Sequence, residues 1–125
     1  MKRRLANVVG VCLIVAACGG GVRAGAVTVD LQEFSIDASA TALITGDVEL
    51  EVENHGEYPH TLVVSDSDGA VLAATDVLQP SETARLSLDL EPGAYEFTCR
   101  IVGTDDAGRV VDHYQAGMHR TVSSA

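Results

Sequence analysis

Apolar and polar residues alternate with a period of two along three segments of the chain. Such alternation predicts β-strands that bury one side and expose the other. No segment shows a long helical period that competes with it. The alternating apolar positions are Val27, Val29 and Leu31; Val48, Leu50 and Val52; and Ala84, Leu86, Leu88 and Leu90. The pattern therefore favours an all-β chain.

Two turn sequences place further strands. Asp68-Gly69 lies between two apolar segments and predicts a hairpin turn. In Pro92-Gly93, proline presets the first turn angle and glycine supplies a positive φ at the next position. The flanking segments are 60–65 and 70–75 for the first turn, and 83–90 and 94–100 for the second. About seven short strands with turns at this spacing predict a β-sandwich.

The N-terminal segment has the organisation of an export signal. A basic start, Lys2–Arg4, is followed by an apolar run that is too short to span a membrane and ends at Ala17. The next residue, Cys18, lies where a bacterial lipobox has its lipidated cysteine; an ordinary secretory signal is the alternative. We predict a signal peptide over 1–17, a lipidated Cys18 with a flexible tether over 18–25, and one domain over 26–125. The lipid would attach the protein to the outer side of the cell membrane.

The predicted mature chain is strongly acidic. Loss of the signal leaves five arginines and no lysine against 18 acidic residues, a formal net charge of −13. This charge repels phosphate, so nucleic acid is not an expected partner, and it favours a basic partner protein. The alternative is that the acidity only keeps an exported protein soluble. Nothing in the sequence requires more than a monomer.

Cys99 has no cysteine partner in the predicted mature chain, because Cys12 lies in the signal and Cys18 would carry lipid. An exported thiol is exposed to oxidation, and a bound metal is its simplest protection. Tyr95, Phe97 and Cys99 share one face of a predicted strand, so Cys99 points into the core. Burial alone would raise the pKa of the thiol and make it inert.

Three further metal-binding side chains accompany this thiol: His60, His113 and Met118. Two imidazoles, one thiolate and one thioether are the ligand set of a blue-copper site, and they bind both Cu(I) and Cu(II). Two other histidines are alternatives. His119 adjoins Met118 in a strand whose phase the sequence does not fix. His55 is expected to be a turn residue.

These segments resemble the cupredoxins, the plastocyanin-like blue copper proteins, over residues 26–125. The motifs that carry the resemblance are the loop Asn54–His60, the turn and strand Leu90–Cys99, the segment His113–Met118 and the final strand Arg120–Ser123. The resemblance implies a Greek-key β-sandwich of about seven to eight strands that binds one copper ion. It implies that His60, Cys99 and His113 are the equatorial ligands and Met118 the weak axial ligand. It also places Thr61 near the thiolate, where a hydrogen bond would tune the reduction potential.

The chain departs from the family pattern between the cysteine and the second histidine. Thirteen residues, Arg100–Asp112, lie where the family usually has only a few. A polar turn over Gly103–Gly108, with Arg109–Asp112 returning as a short strand, would make this insert a hairpin or a flap. Ligation needs spatial rather than sequential proximity, so the insert leaves a copper site feasible. We expect it to affect solvent access to the site.

The resemblance implies a one-electron carrier that is tethered outside the cytoplasmic membrane. Electrons would pass through the solvent-near edge of His113 to a redox partner protein or a membrane oxidase. That partner would have a basic docking surface. The alternatives are an extracytoplasmic copper-binding and delivery protein, and a binding module without redox duty. An enzyme is not expected, because copper oxidases and reductases need further histidine-rich centres. The chain has four histidines, no His-x-His pair and no Gly-x-Ser-x-Gly elbow.

Overall fold

The computed structural model describes residues 22–125, which form two packed β-sheets and a separate hairpin. The predicted signal peptide and Cys18 lie outside the described residues. The strands are β1 (Ala26–Gln32), β2 (Ser35–Ala38), β3 (Ala42–Leu43), β4 (Gly46–Asn54), β5 (Val63–Asp66), β6 (Val71–Ala74), β7 (Thr83–Leu90), β8 (Gly93–Thr98), β9 (Val102–Thr104), β10 (Val110–Asp112) and β11 (His119–Ser124). A short helix, α1 (His113–Ala116), precedes β11. Within residues 22–125, no helix is long and apolar enough to cross a membrane.

The two sheets are mixed and have the topology of a β-sandwich, as the sequence predicts. The first sheet has the order β2-β1-β4-β7, and the second has the order β3-β11-β8-β5-β6. The pairs β1–β4 and β3–β11 are parallel, and the other pairs are antiparallel. Strands β9 and β10 pair only with each other. The insert between the cysteine and the second histidine is therefore a β-hairpin outside both sheets.

The core lies between the sheets and contains the residues that the period of two marks. The predicted apolar positions of β1 and β4 are all buried. In β7, Leu88 and Leu90 are buried, whereas Ala84 and Leu86 are only half-buried. This strand is at the edge of its sheet, so its first half has fewer neighbours. Each fully buried Val or Leu contributes about 1.5–3 kcal/mol relative to exposure, so the alternation is sufficient to orient the strands.

The predicted Asp68-Gly69 turn is present and connects β5 to β6. Gly69 has φ +87°, and its N–H donates to the carbonyl oxygen of Asp66 (3.0 Å). The carboxylate of Asp66 also accepts hydrogen bonds from the backbone of Asp68 and Ala70. Strand β5 begins at Val63, three residues later than the predicted segment, because the preceding residues form a different structure at the site described below.

Pro92-Gly93 lies at the change from one sheet to the other, since β7 belongs to the first sheet and β8 to the second. The hydroxyl of Tyr95 donates to the carbonyl of Glu91 (2.7 Å) and accepts from the backbone N–H of Glu91 (3.0 Å). These two hydrogen bonds fix the corner at which β8 begins. From this corner, β8 runs between β11 and β5 and ends at Thr98, the residue before Cys99.

Candidate metal centre

Three buried donor atoms from distant parts of the chain meet at one end of the sandwich. The Nδ1 atoms of His60 and His113 are 3.2 Å apart. The Sγ atom of Cys99 lies 3.6 Å from Nδ1 of His113 and 4.0 Å from Nδ1 of His60. All three residues are at most 4% exposed. The structure thus brings together the three equatorial residues that the sequence predicts.

The separations suit a single metal ion. A point equidistant from the three donor atoms would lie about 2.1 Å from each, within the range of metal–imidazole and metal–thiolate bonds. Two imidazoles with one thiolate in a triangle, and a thioether nearby in sequence, match the donor set of a blue-copper centre. The residues present therefore fit the cofactor that the sequence implies.

Cys99 directly follows β8, and strand parity determines its direction. Tyr95 and Phe97 are buried with it on the core side, as predicted. The backbone N–H of Cys99 donates to the carbonyl oxygen of Met118 (3.1 Å). This bond extends the antiparallel pairing of β8 with β11 by one residue. The position of the thiol is consequently fixed by two neighbouring strands.

His60 lies in a loop between β4 and β5 rather than in a strand. Its backbone N–H donates to the carbonyl of Leu78 (3.0 Å), and Leu78 donates back (2.8 Å), forming an isolated bridge. Asn54 anchors the same loop from inside, since its amide donates to the carbonyls of Tyr58 (2.9 Å) and Leu78 (2.8 Å). It also accepts from the N–H of Gly56 (2.8 Å). A fully buried asparagine therefore determines how the loop presents His60.

His113 is the first residue of α1, and the turn after it brings Met118 back to the site. The N–H of His113 donates to Ile101 (2.9 Å), and the N–H of Met118 donates to the carbonyl of His113 (3.0 Å). Gly117, with φ +132°, closes this turn, and a Cβ there would lie 2.8 Å from the carbonyl oxygen of Phe34. Met118 is fully buried beside Cys99, where the sequence places the axial ligand.

Thr61 contacts the sulfur of Cys99 in two ways. Its backbone N–H donates to Sγ at 3.4 Å, and its hydroxyl lies 3.8 Å from the same atom. The structure places Thr61 where the sequence predicts a residue that influences the thiolate. The effect of the hydroxyl on the reduction potential stays a prediction.

Hydrogen bonds determine the ionisation of the site. Burial would raise the pKa of Cys99, but contact with the ring of His60 and hydrogen bonds from the N–H groups of Thr61 and Ile101 lower this pKa below its usual value. Burial would lower the pKa of His60, but its contacts with Cys99 and Glu33 raise it. Burial and the charge of His60 together lower the pKa of His113. These contacts thus shift the pKa of Cys99 in the direction opposite to that of burial alone.

Glu33 is also part of the site, and the sequence did not predict it. It lies between β1 and β2, and its Oε2 accepts a hydrogen bond from Nε2 of His60, on the ring side opposite the metal-binding triangle. No local pattern marks this residue, because a glutamate between two strands is an ordinary surface residue. Its position depends on how two separate loops pack.

The insert hairpin borders the site on the side of His113. The residue is 4% exposed, so little of its surface reaches solvent directly. The ring contacts Phe34, with centroids 5.1 Å apart, and borders a cavity of about 230 Å³. The other lining residues are Tyr58, Pro59, Ile101, Gly103, Thr104, Asp105 and Val111. Residues of the thirteen-residue insert therefore form one wall above the site.

The two alternative histidines are away from this centre. His119 is exposed and packs against the ring of Tyr114, with centroids 4.9 Å apart. His55 is exposed and pairs with Glu53 (2.9 Å) and Asp30 (3.3 Å). Strand parity correctly separates His119 from its buried neighbour Met118.

A family model described as a cupredoxin-like domain matches residues 6–111. The chain belongs to this cupredoxin-like family. The predicted resemblance is thereby confirmed, and copper is the cofactor of the family. No curated protein sequence matches this cupredoxin at a significant level.

Solved structures with the same fold include two auracyanins. The reduced auracyanin of Roseiflexus castenholzii is 19% identical with a TM-score of 0.65, and the match covers 83% of this cupredoxin and 99% of the auracyanin. Auracyanin A of Chloroflexus aurantiacus, a blue copper protein, is 14% identical with a TM-score of 0.57, covering 81% and 100%. The copper-containing nitrite reductase of Thermus scotoductus is 20% identical with a TM-score of 0.51, covering 89% of this cupredoxin but 25% of the reductase. These likenesses establish the fold.

Proposed function

We propose that this cupredoxin is a one-electron carrier with a type 1 copper centre. His60, Cys99 and His113 are its equatorial ligands, and Met118 is the axial ligand. The observation that carries the proposal is the buried triangle of two Nδ1 atoms and one Sγ atom at metal-binding separations. When bound, copper supplies the Cu(I)/Cu(II) couple at these soft donors.

The anchoring of the ligands supports electron transfer rather than catalysis. Cys99 is hydrogen-bonded to the backbone of Met118, and His60 is bridged to Leu78, so these positions are fixed before a metal binds. A catalytic metal site keeps one coordination position open for substrate. The four proposed ligands are at most 4% exposed, which favours a carrier over an enzyme.

The half-buried ring of Phe34 is the proposed exit for electrons. It packs against His113 and is more exposed than this histidine. The acidic surface would attract a basic redox partner or the basic region of a membrane oxidase. We further propose export and lipid attachment through Cys18, which the sequence pattern at 1–18 supports. Incorporation of labelled fatty acid into the wild-type protein but not into Cys18→Ser tests the anchor.

Rapid-mixing kinetics test the carrier function. The copper-loaded protein is mixed with a one-electron oxidant or reductant, and the charge-transfer absorption is followed. A carrier exchanges electrons fast in both directions while retaining its copper. The control variant Cys99→Ser removes the thiolate and should show no such exchange. Slow exchange combined with rapid loss of copper to a chelator would contradict the carrier function and favour copper delivery.

A further inference from the structure

The ring of His60 is held from both of its nitrogens. On one side, Nδ1 faces Cys99 and the other ligand histidine. On the other side, Nε2 is hydrogen-bonded to the carboxylate of Glu33. The His60 side chain is fully buried, whereas the side chain of Glu33 is 21% exposed. Among the described residues, Glu33 is the acidic side chain in contact with a proposed ligand.

Glu33 is itself fixed by the loop that carries His60. Its second oxygen, Oε1, accepts from the backbone N–H of Glu57 (2.6 Å). A Cβ at Gly56 would collide with the Glu33 carboxylate, so glycine makes room for this side chain. Each carboxylate oxygen of Glu33 therefore has its own nitrogen partner: Oε1 accepts from Glu57, and Oε2 contacts the ring of His60. A carboxyl group that accepts at both oxygens is in its ionised form, so the carboxylate is oriented from two sides.

The hydrogen bond selects one form of the imidazole ring. An ionised carboxylate only accepts hydrogen bonds, so Nε2 of His60 carries the proton. In a neutral imidazole, Nδ1 then has a free lone pair, and this atom belongs to the metal-binding triangle. Without the carboxylate, the other tautomer would place a proton on the nitrogen that must bind metal.

We propose that Glu33 is a positioning residue that fixes the orientation and tautomer of His60 and favours Cu(II) over Cu(I). The proposal rests on the proposed copper site. With Cu(II) bound, the ion and the one thiolate would have a net positive charge, which the Glu33 carboxylate neutralises. With Cu(I) bound, the ion and the thiolate would cancel, and the carboxylate would be an uncompensated negative charge. Glu33 therefore lowers the reduction potential of the centre. Carboxylates bound to ligand histidines increase the basicity of the ligand in the same way.

The variant Glu33→Gln tests the proposal. Glutamine offers one carbonyl oxygen to two donors, Nε2–H of His60 and N–H of Glu57, and it carries no charge. We expect Cu(II) affinity, measured by competition with a chelator, to fall about 10- to 100-fold. The reduction potential should rise by about 59 mV for each tenfold loss of Cu(II) affinity relative to Cu(I).

Glu57→Gln is the matched control. It removes the same negative charge from the loop that Glu33 contacts. The side chain of Glu57 is exposed, so the variant should leave the His60 ring undisturbed. Its affinity and potential should stay near wild type. Equal changes in the two variants would show that general charge is responsible, and this would overturn the positioning role.

Nitrogen NMR of the metal-free protein separates this proposal from the proposed function. At a pH high enough for the ring to be neutral, wild type should show His60 protonated at Nε2, and Glu33→Gln should show a mixture of tautomers. If the wild-type protein has no blue-copper spectrum, the proposed function fails, but the NMR comparison still tests Glu33. If that spectrum is present and Glu33→Gln matches wild type in tautomer, affinity and potential, the proposal is wrong.

A second variant covers the case in which Glu33→Gln does not fold. Gly56→Ala keeps the charge of Glu33 but displaces its carboxylate from His60. It should produce the same mixture of tautomers in the metal-free protein. A wild-type tautomer in a folded Gly56→Ala protein, with the carboxylate displaced, would overturn the proposal.

Discussion

Single hydrogen bonds control the chemistry of the Cys99 sulfur. Burial raises the pKa of a thiol, yet contacts from His60, Thr61 and Ile101 reverse the direction of the shift. The sequence predicts Cys99 and both ligand histidines, because donor types are visible in a sequence. It does not predict Glu33, because this contact depends on how two loops pack, and neither loop has a periodic pattern.

Thr61→Val should lower the reduction potential of the copper protein. A hydrogen bond to the sulfur stabilises the electron-rich reduced state, and valine keeps the shape while removing the hydroxyl. The hydroxyl–sulfur distance is long, 3.8 Å, so we expect a shift of at most roughly 40 mV, equivalent to about 1 kcal/mol. Voltammetry measures it, with the exposed Thr121→Val as control. A potential unchanged from that of the control would refute this role of the hydroxyl.

Asn54→Ala should destabilise the protein. The variant leaves the buried carbonyl of Leu78, the partly buried carbonyl of Tyr58 and the N–H of Gly56 without their side-chain partner. We expect the free energy of unfolding to fall by about 2–4 kcal/mol, measured by denaturant unfolding of the metal-free form. Gln79→Ala removes an exposed amide nearby and should change stability little. Similar losses in both variants would contradict the anchoring role.

The strands of this protein were more predictable than its loops. A period of two identifies β1, β4 and β7, because each strand packs one face against the core. The later start of β5 was missed, because the bridge of His60 with Leu78 pairs residues from two loops. The insert was predicted as a hairpin or flap, and it is a hairpin. Its position over His113 depends on tertiary contacts that the sequence does not display.

Gly117→Ala should destabilise the turn that joins the two C-terminal ligands. Alanine disfavours φ +132°, and its Cβ would lie 2.8 Å from the backbone of Phe34. We expect a loss of about 1–3 kcal/mol in the free energy of unfolding, with a broadened charge-transfer band. Gly103→Ala is the control, since the nearest side-chain atom there is 4.0 Å away. Equal stability of the two variants would mean that the turn tolerates a side chain.

For the whole molecule, the sandwich brings together donors that are far apart in the chain. The order of the donors and the strands around them sufficed to predict the family. The low exposure of His113 could not be predicted, because the insert has no counterpart in the short loop that usually joins the cysteine to the second histidine in the family. Partner preference belongs to this scale, because it depends on the summed charge of the surface.

Electron exchange with a basic cytochrome should slow as salt is added. Attraction between opposite charges extends about 30 Å at 0.01 M ionic strength but only about 3 Å at 1 M. We expect the bimolecular rate to fall at least tenfold over about this range. An uncharged oxidant provides the control, and its rate should hardly change. If the cytochrome rate were equally insensitive to salt, electrostatic attraction would not guide the encounter.

The visible and EPR spectra of the copper-loaded protein test the central claim most directly. One equivalent of Cu(II) is added to the wild-type protein and to Cys99→Ser. We predict an intense thiolate-to-copper charge-transfer band for wild type and its loss in the variant. Weak tetragonal copper spectra that are the same in both proteins would contradict a copper centre built from His60, Cys99 and His113.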